Sequence, residues 1–119
     1  ALATQQTVPI YAASKAATLT LVKAISMDHA HEGIRINAVL PGSVDTPLLR
    51  DAARDLTPDD VAGTVAKWGT MHPIGRVIQA AEVAKLVLFL CSDDARAMTG
   101  ASYLIDGGLM AKLPVVLPE

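Results

Sequence analysis

Residues 34–42 read Ile34-Arg35-Ile36-Asn37-Ala38-Val39-Leu40-Pro41-Gly42. The run turns almost wholly apolar toward its end, and Pro41-Gly42 then stops it. The pattern predicts a strand over 34–40. Near-continuous hydrophobicity requires cover on both faces, as in the strands of parallel sheets. A second strand candidate, Gly100 to Asp106, closes on Asp106-Gly107-Gly108. Parallel strands need a crossover connection, so helices are expected around and between the two.

Pro9 can open a helix, because its missing N–H falls where a first turn has no use for one. From Tyr11 to about Ala30 there is no internal Gly or Pro. Leu19, Val22 and Ile25 share one face; Ala13, Ala17, Leu21 and Ala24 lie on another. A helix apolar nearly all round is expected to be buried on more than one side. Gly33, just after His29 and His31, supplies the stop. The stretch from Ser43 to Pro73 is looser. Within it Thr57-Pro58-Asp59-Asp60 reads as an N-cap, a proline at the first helical position and an acidic first turn, predicting a short helix to Trp68 that stops at Gly69. Glu82 to Ser92 sets Val83, Leu86, Val87 and Leu90 on one helical stripe. Ala1 to Thr7 reads as a loop or the tail of a strand.

Helix, strand, helical lid, helix, strand is the order of an α/β fold. Two buried parallel strands lack the neighbours that an independent sheet needs. The expectation is therefore a single partial Rossmann-like domain: the C-terminal part of a doubly wound parallel sheet with its N-terminal half missing.

Composition narrows the function classes. Of 119 residues 51% are hydrophobic and 18% charged, which implies a buried core and excludes wholesale disorder. Aromatic residues are only 3%, and ten basic residues face twelve acidic ones with no Lys or Arg block. A nucleic-acid partner is not expected. The longest strongly apolar run, Leu86 to Cys91, is too short for a bilayer, and no basic-then-apolar leader opens the chain. With one cysteine, Cys91, no internal disulfide can form, which fits a cytoplasmic protein away from membranes. Cys91, beside Phe89 and Leu90, reads as core filler. His29 and His31, two apart, diverge on a helix, so no metal site is expected. His72 beside Pro73 reads as a loop residue.

The strongest chemical feature is Tyr11-Ala12-Ala13-Ser14-Lys15. Positions four apart stack on one helix face. An ammonium beside a phenol favours the phenolate, and a phenol so tuned can pass a proton to or from an alcohol or carbonyl oxygen. The spacing alone also describes an ordinary surface pair.

The surroundings decide between these. Tyr11 to Ala17 followed by an apolar helix, Arg35-Ile-Asn-Ala-Val-Leu-Pro-Gly-Ser-Val-Asp-Thr-Pro47, Pro73-Ile-Gly-Arg76, Glu82-Val-Ala and Met98-Thr-Gly-Ala-Ser-Tyr-Leu-Ile-Asp-Gly-Gly108 stand in one order. Together they resemble the C-terminal half of the short-chain dehydrogenase/reductase family, over nearly the whole chain. The resemblance implies a nicotinamide-dependent oxidoreductase, using NAD or NADP on a secondary alcohol or the matching carbonyl. It implies Tyr11 as general acid/base and Lys15 as its partner, which also hydrogen-bonds the nicotinamide ribose. Pro41 and Gly42 would shape the backbone beside the nicotinamide. Val44, through its main chain, and Thr46, also through its hydroxyl, would meet the carboxamide. Leu48, Leu49, Trp68 and Met71 would line the substrate pocket or pack the lid on the core. The resemblance also implies a homo-oligomer, dimer or tetramer.

No two of the eight glycines are separated by a single residue, so the glycine fingerprint of a pyrophosphate cradle is absent. The family's catalytic serine would fall ahead of Ala1. The isolated chain is therefore expected to be inactive. The alternative is a non-catalytic module that serves structure or oligomerisation through its all-round apolar helix. The three-residue gap between Tyr11 and Lys15 argues against the enoyl-reductase branch.

Overall fold

The computed structural model of the chain describes residues 9–111; the reading of Ala1 to Thr7 lies outside them. Helix α1 spans Pro9–His29, with proline as its first residue. A 3-10 turn, Ala30–Glu32, leads into Gly33. Leu19, Val22 and Ile25 are half-buried and Ser26 is buried, whereas Ala13, Ala17, Leu21 and Ala24 are exposed. One of the two expected buried faces is thus covered among the described residues, and the other is open. Close approach sets the covered face. A Cβ on Gly100 would fall 2.7 Å from Ser26 Oγ, so a small residue on each side lets α1 settle against that turn.

Strand β1, Ala38–Pro41, pairs in parallel with β4, Ser102–Ile105, in the register Ala38↔Ser102 to Pro41↔Ile105. The predicted strand over 34–40 is therefore too long at its start. Residues 34–37 are held by side chains instead of a ladder. Arg35 donates to the carbonyls of Met98 (3.2 Å) and Ser92 (3.4 Å), and the Ile36 N–H reaches Thr99 Oγ1 at 3.1 Å. Asn37 donates to the Met98 carbonyl at 2.7 Å and accepts the Ala101 N–H at 3.2 Å. One amide side chain thereby closes both polar groups of the turn that feeds β4.

The lid holds two helices where the sequence predicts one. Helix α2 spans Pro47–Leu56, and Thr46 caps it by accepting the Leu49 N–H at 3.3 Å. Helix α3 spans Val61–Gly69, and its cap is Asp60, which accepts the Gly63 N–H at 2.9 Å. The expected cap, Thr57, closes α2 instead: its N–H (2.9 Å) and its hydroxyl (3.1 Å) both donate to the Ala53 carbonyl. Once the preceding helix has claimed Thr57, the cap of α3 passes to the next carboxylate. Ala53, Val65 and Val77 form a small core under the lid, and Leu49, Val61 and Trp68 pack against it.

A second parallel pair, β2 (Val44–Asp45) with β3 (Ile78–Gln79), ties the start of the lid to the segment after it. Helix α4 then spans Ala80–Cys91, beginning two residues before the predicted Glu82. Leu90 is buried and Val83 and Leu86 half-buried, but Val87 is exposed. Cys91 is exposed, which corrects its reading as core filler. Leu90 takes the inward position, and the next residue is rotated about 100° away from it.

Candidate active site

Tyr11 and Lys15 project together from the first turns of α1. The Lys15 ammonium lies over the Tyr11 ring, with Nζ 5.4 Å from the ring centroid, within cation–π range. Tyr11 is 62% exposed, so its phenol faces solvent. The Ser14 hydroxyl is spent on the helix, donating to the Tyr11 carbonyl at 2.8 Å.

The second group stands at the carboxyl end of β1, where open α/β sheets form ligand crevices. The Gly42 N–H continues the ladder to the Ile105 carbonyl at 3.1 Å. Ser43 is fixed on both sides: its N–H donates to His72 Nε2 at 3.1 Å, and its carbonyl accepts the Ile78 N–H at 2.8 Å. Successive residues of a parallel strand turn their peptide groups to alternate sides. With Ser43 turned to β3, the Val44 N–H and carbonyl face the opposite way. Thr46 Oγ1 is engaged in its cap. Among the described residues no hydrogen bond joins this loop to the Tyr11–Lys15 pair.

His72 is the residue that sequence reasoning missed. It is 1% exposed, the largest fully buried side chain among the described residues. Its Nδ1 lies 3.2 Å from the Trp68 carbonyl, which can only accept. The proton therefore sits on Nδ1, and Nε2 is free to accept from Ser43. A Cβ on Gly42 would fall 2.7 Å from His72 Nε2 and 3.1 Å from Asp106 Cα. No periodicity marks His72. The available signal was the need of a glycine, at the end of a strand, for a partner close enough to require it.

Asp106, also buried, accepts the N–H groups of Gly108 and Met110, each at 2.9 Å, and so shapes the turn after β4. Two bidentate ion pairs brace the lid. Arg50 grips Asp45 at 2.7 and 2.8 Å, and its hydrogen bonds hold the Asp45 carboxyl below the usual range. Arg76 grips Glu82 with two 2.8 Å bonds. That grip, with the Gln79 N–H, brings the Glu82 carboxyl down to about 2. An open groove of about 560 Å³ runs from Thr46 and Arg50 to Ala80 and Ala81. The paired charges of Asp45–Arg50 and Asp51–Arg54 stand along it, and Tyr11 and Lys15 are not part of it.

Of the expected lid residues, Leu48 (81% exposed) and Met71 (45% exposed) are open, whereas Leu49 and Trp68 pack on the lid core.

This arrangement of parallel strands, a helix carrying Tyr11 and Lys15 together, and a loop at the strand end defines a class. A family model described as enoyl-(acyl carrier protein) reductase matches residues 1–110. Oxidoreductase UcpA of Salmonella typhimurium is 40% identical over 98 residues, 82% of this chain and 37% of that protein. Cyclohexanol dehydrogenase of an Acinetobacter species is 39% identical over 107 residues, 90% of this chain and 38% of that protein. The ligand-free structure of Thermoplasma acidophilum aldohexose dehydrogenase superposes with a TM-score of 0.92 at 37% identity, covering 98% of this chain and 46% of that one. Gluconobacter frateurii L-sorbose reductase, complexed with NADPH and L-sorbose, gives 0.83 at 33% identity, covering 88% and 41%. The chain belongs to the short-chain dehydrogenase/reductase family. It spans little more than a third of the length of the curated relatives it matches.

Proposed function

We propose that the protein carrying this chain is an oxidoreductase that moves a hydride between a nicotinamide cofactor and a secondary alcohol or carbonyl of a small molecule. The observation that carries this reading is the exposed Tyr11 phenol with the Lys15 ammonium over its ring. The names of the relatives support it, a cyclohexanol dehydrogenase and a reductase complexed with NADPH among them.

The donor set fits the cofactor. A phenol and an ammonium on one helix face suit ribose and substrate hydroxyls. The outward-turned Val44 peptide groups suit a carboxamide. When bound, NAD or NADP supplies or accepts the hydride; this chain's residues do the rest. Tyr11 Oη gives a proton to the substrate oxygen in reduction and takes it in oxidation. Lys15, whose ammonium lies over the Tyr11 ring, holds the ribose. Pro41 and Gly42 set the backbone close to the ring, and Val44 with Thr46 orients the carboxamide. Leu48 and Met71 line the substrate side, while Leu49 and Trp68 hold the two lid helices together.

The 119 residues alone are proposed to lack turnover, because no glycine fingerprint for a pyrophosphate is present among them. The open face of α1, with Leu21 57% exposed, supports association into a dimer or tetramer. A cytoplasmic location belongs to the same proposal. It is supported by a single cysteine and by the lack, among the described residues, of any helix long and apolar enough to cross a membrane.

The test is to assay the full-length protein with NAD and NADP against a panel of secondary alcohols and ketones, following nicotinamide absorbance. Turnover of at least one pair is expected. If no cofactor binds, the reading fails and the non-catalytic module takes its place. Sedimentation of the same preparation tests the association, and a monomer would contradict it.

A further inference from the structure

We infer that His72 is a positioning residue that sets the cofactor loop and joins it to the lid, an inference that rests on the proposed nicotinamide chemistry. Three observations meet at this side chain. Its Nε2 accepts the Ser43 N–H at 3.1 Å. Its Nδ1–H donates to the Trp68 carbonyl, in the last turn of α3, at 3.2 Å. It is fully buried, and the Gly42 backbone lies against its ring so closely that a Cβ would collide with Nε2.

The connection has a direction. The Ser43 carbonyl is already held by the Ile78 N–H at 2.8 Å, so the imidazole supplies the second constraint on Ser43. A peptide unit fixed on both sides cannot swing, and the next residue is Val44, whose outward peptide groups are assigned to the carboxamide. His72 touches neither cofactor nor substrate in this account; it acts through Ser43. Because the same ring is tied to Trp68, which packs on the lid core, movement of the lid helix is transmitted to the loop. The imidazole suits this task because one neutral ring accepts at one nitrogen and donates at the other.

Asp106 stands on the other side of Gly42. Its backbone borders Gly42, and its carboxylate is turned to Gly108 and Met110. The hydrogen bond from Ser43 is set by the tautomer, since Nδ1 faces a carbonyl and leaves Nε2 to accept.

The direct test uses the full-length protein labelled with 15N-histidine and 15N-serine. His72 is expected to carry its proton on Nδ1, with Nε2 showing the shift of an unprotonated acceptor and a coupling to the Ser43 amide. A proton on Nε2 would overturn the inference without any variant being made. His72→Leu is expected to speed Ser43 amide exchange and to raise the cofactor KM about tenfold, the scale of one lost buried hydrogen bond, with kcat within about twofold. His72→Gln, whose amide can both accept and donate, is expected to restore both. Simple loss of folded protein would lower apparent kcat and leave KM unchanged, and that result overturns the inference, as does unchanged Ser43 exchange. If the wild-type protein turns over no nicotinamide, the proposed function fails, while the tautomer and the Ser43 exchange still decide the role of His72.

Discussion

Gly42 and His72 occupy one another's space: a Cβ on Gly42 would lie 2.7 Å from His72 Nε2 and 3.0 Å from Cδ2. The ring cannot withdraw, since it is buried and bonded on both sides. The Asp106 backbone, 3.1 Å away, closes the other exit. Gly42→Ala is therefore expected to destabilise the fold by about 1–3 kcal/mol, the range for overpacking a filled site. Denaturant unfolding measures it, and a midpoint equal to wild type would show that the loop has room to spare.

The lid caps make a second, sharper prediction. Asp60 accepts the Gly63 N–H at 2.9 Å, so Asp60→Ala is expected to remove about 1 kcal/mol and Asp60→Asn only a fraction of that. Thr57→Ala should act chiefly on the end of α2, where its hydroxyl meets the Ala53 carbonyl, and also removes that hydroxyl's contacts with the Asp60 carbonyl and the Thr64 hydroxyl. Amide exchange separates the two. Faster exchange at the start of α3 in the Thr57 variant, and not in the Asp60 variant, would reverse the assignment.

Glu82 gives a prediction in pH. Its carboxyl is brought from the ordinary 4.5 to about 2 by the Arg76 guanidinium and the Gln79 N–H. A carboxyl whose folded value is depressed adds stability above its unfolded value and loses it as pH falls. The Arg76–Glu82 contribution is thus complete above about pH 4.5 and disappears as pH approaches 2. The carboxyl 13C resonance of Glu82 should titrate near the lower figure in wild type. In Arg76→Met it should move back toward the higher one, only partly, because the Gln79 bond remains. An unmoved midpoint would remove Arg76 as the cause.

Much of this was legible in the sequence, and the failures have physical reasons. Helix α1, the parallel pairing of the two strands and the Tyr11–Lys15 juxtaposition follow from spacing and from continuous hydrophobicity. The first half of the predicted strand failed because Arg35 and Asn37 satisfy the chain through side chains, which no apolar pattern records. Helix α2 was missed although Thr46-Pro47 carries the same start signal that was read eleven residues later at Thr57-Pro58. Leu49 and Ala53, four apart, are its only residues in or against the lid core, too few to stand out as a stripe. His72 was missed because its importance is tertiary. Its partners, Ser43 and Trp68, lie in different elements, and burial of a lone polar ring leaves no trace in composition.

The central claim is that Tyr11 moves the proton, and the Tyr11→Phe variant of the full-length protein tests it most directly. The substitution removes one oxygen and keeps the ring that Lys15 covers. Cofactor affinity is therefore expected to stay within about twofold, while kcat falls by about 10²–10⁴, the span of general acid–base catalysis. Turnover at the wild-type rate in that variant would contradict the account.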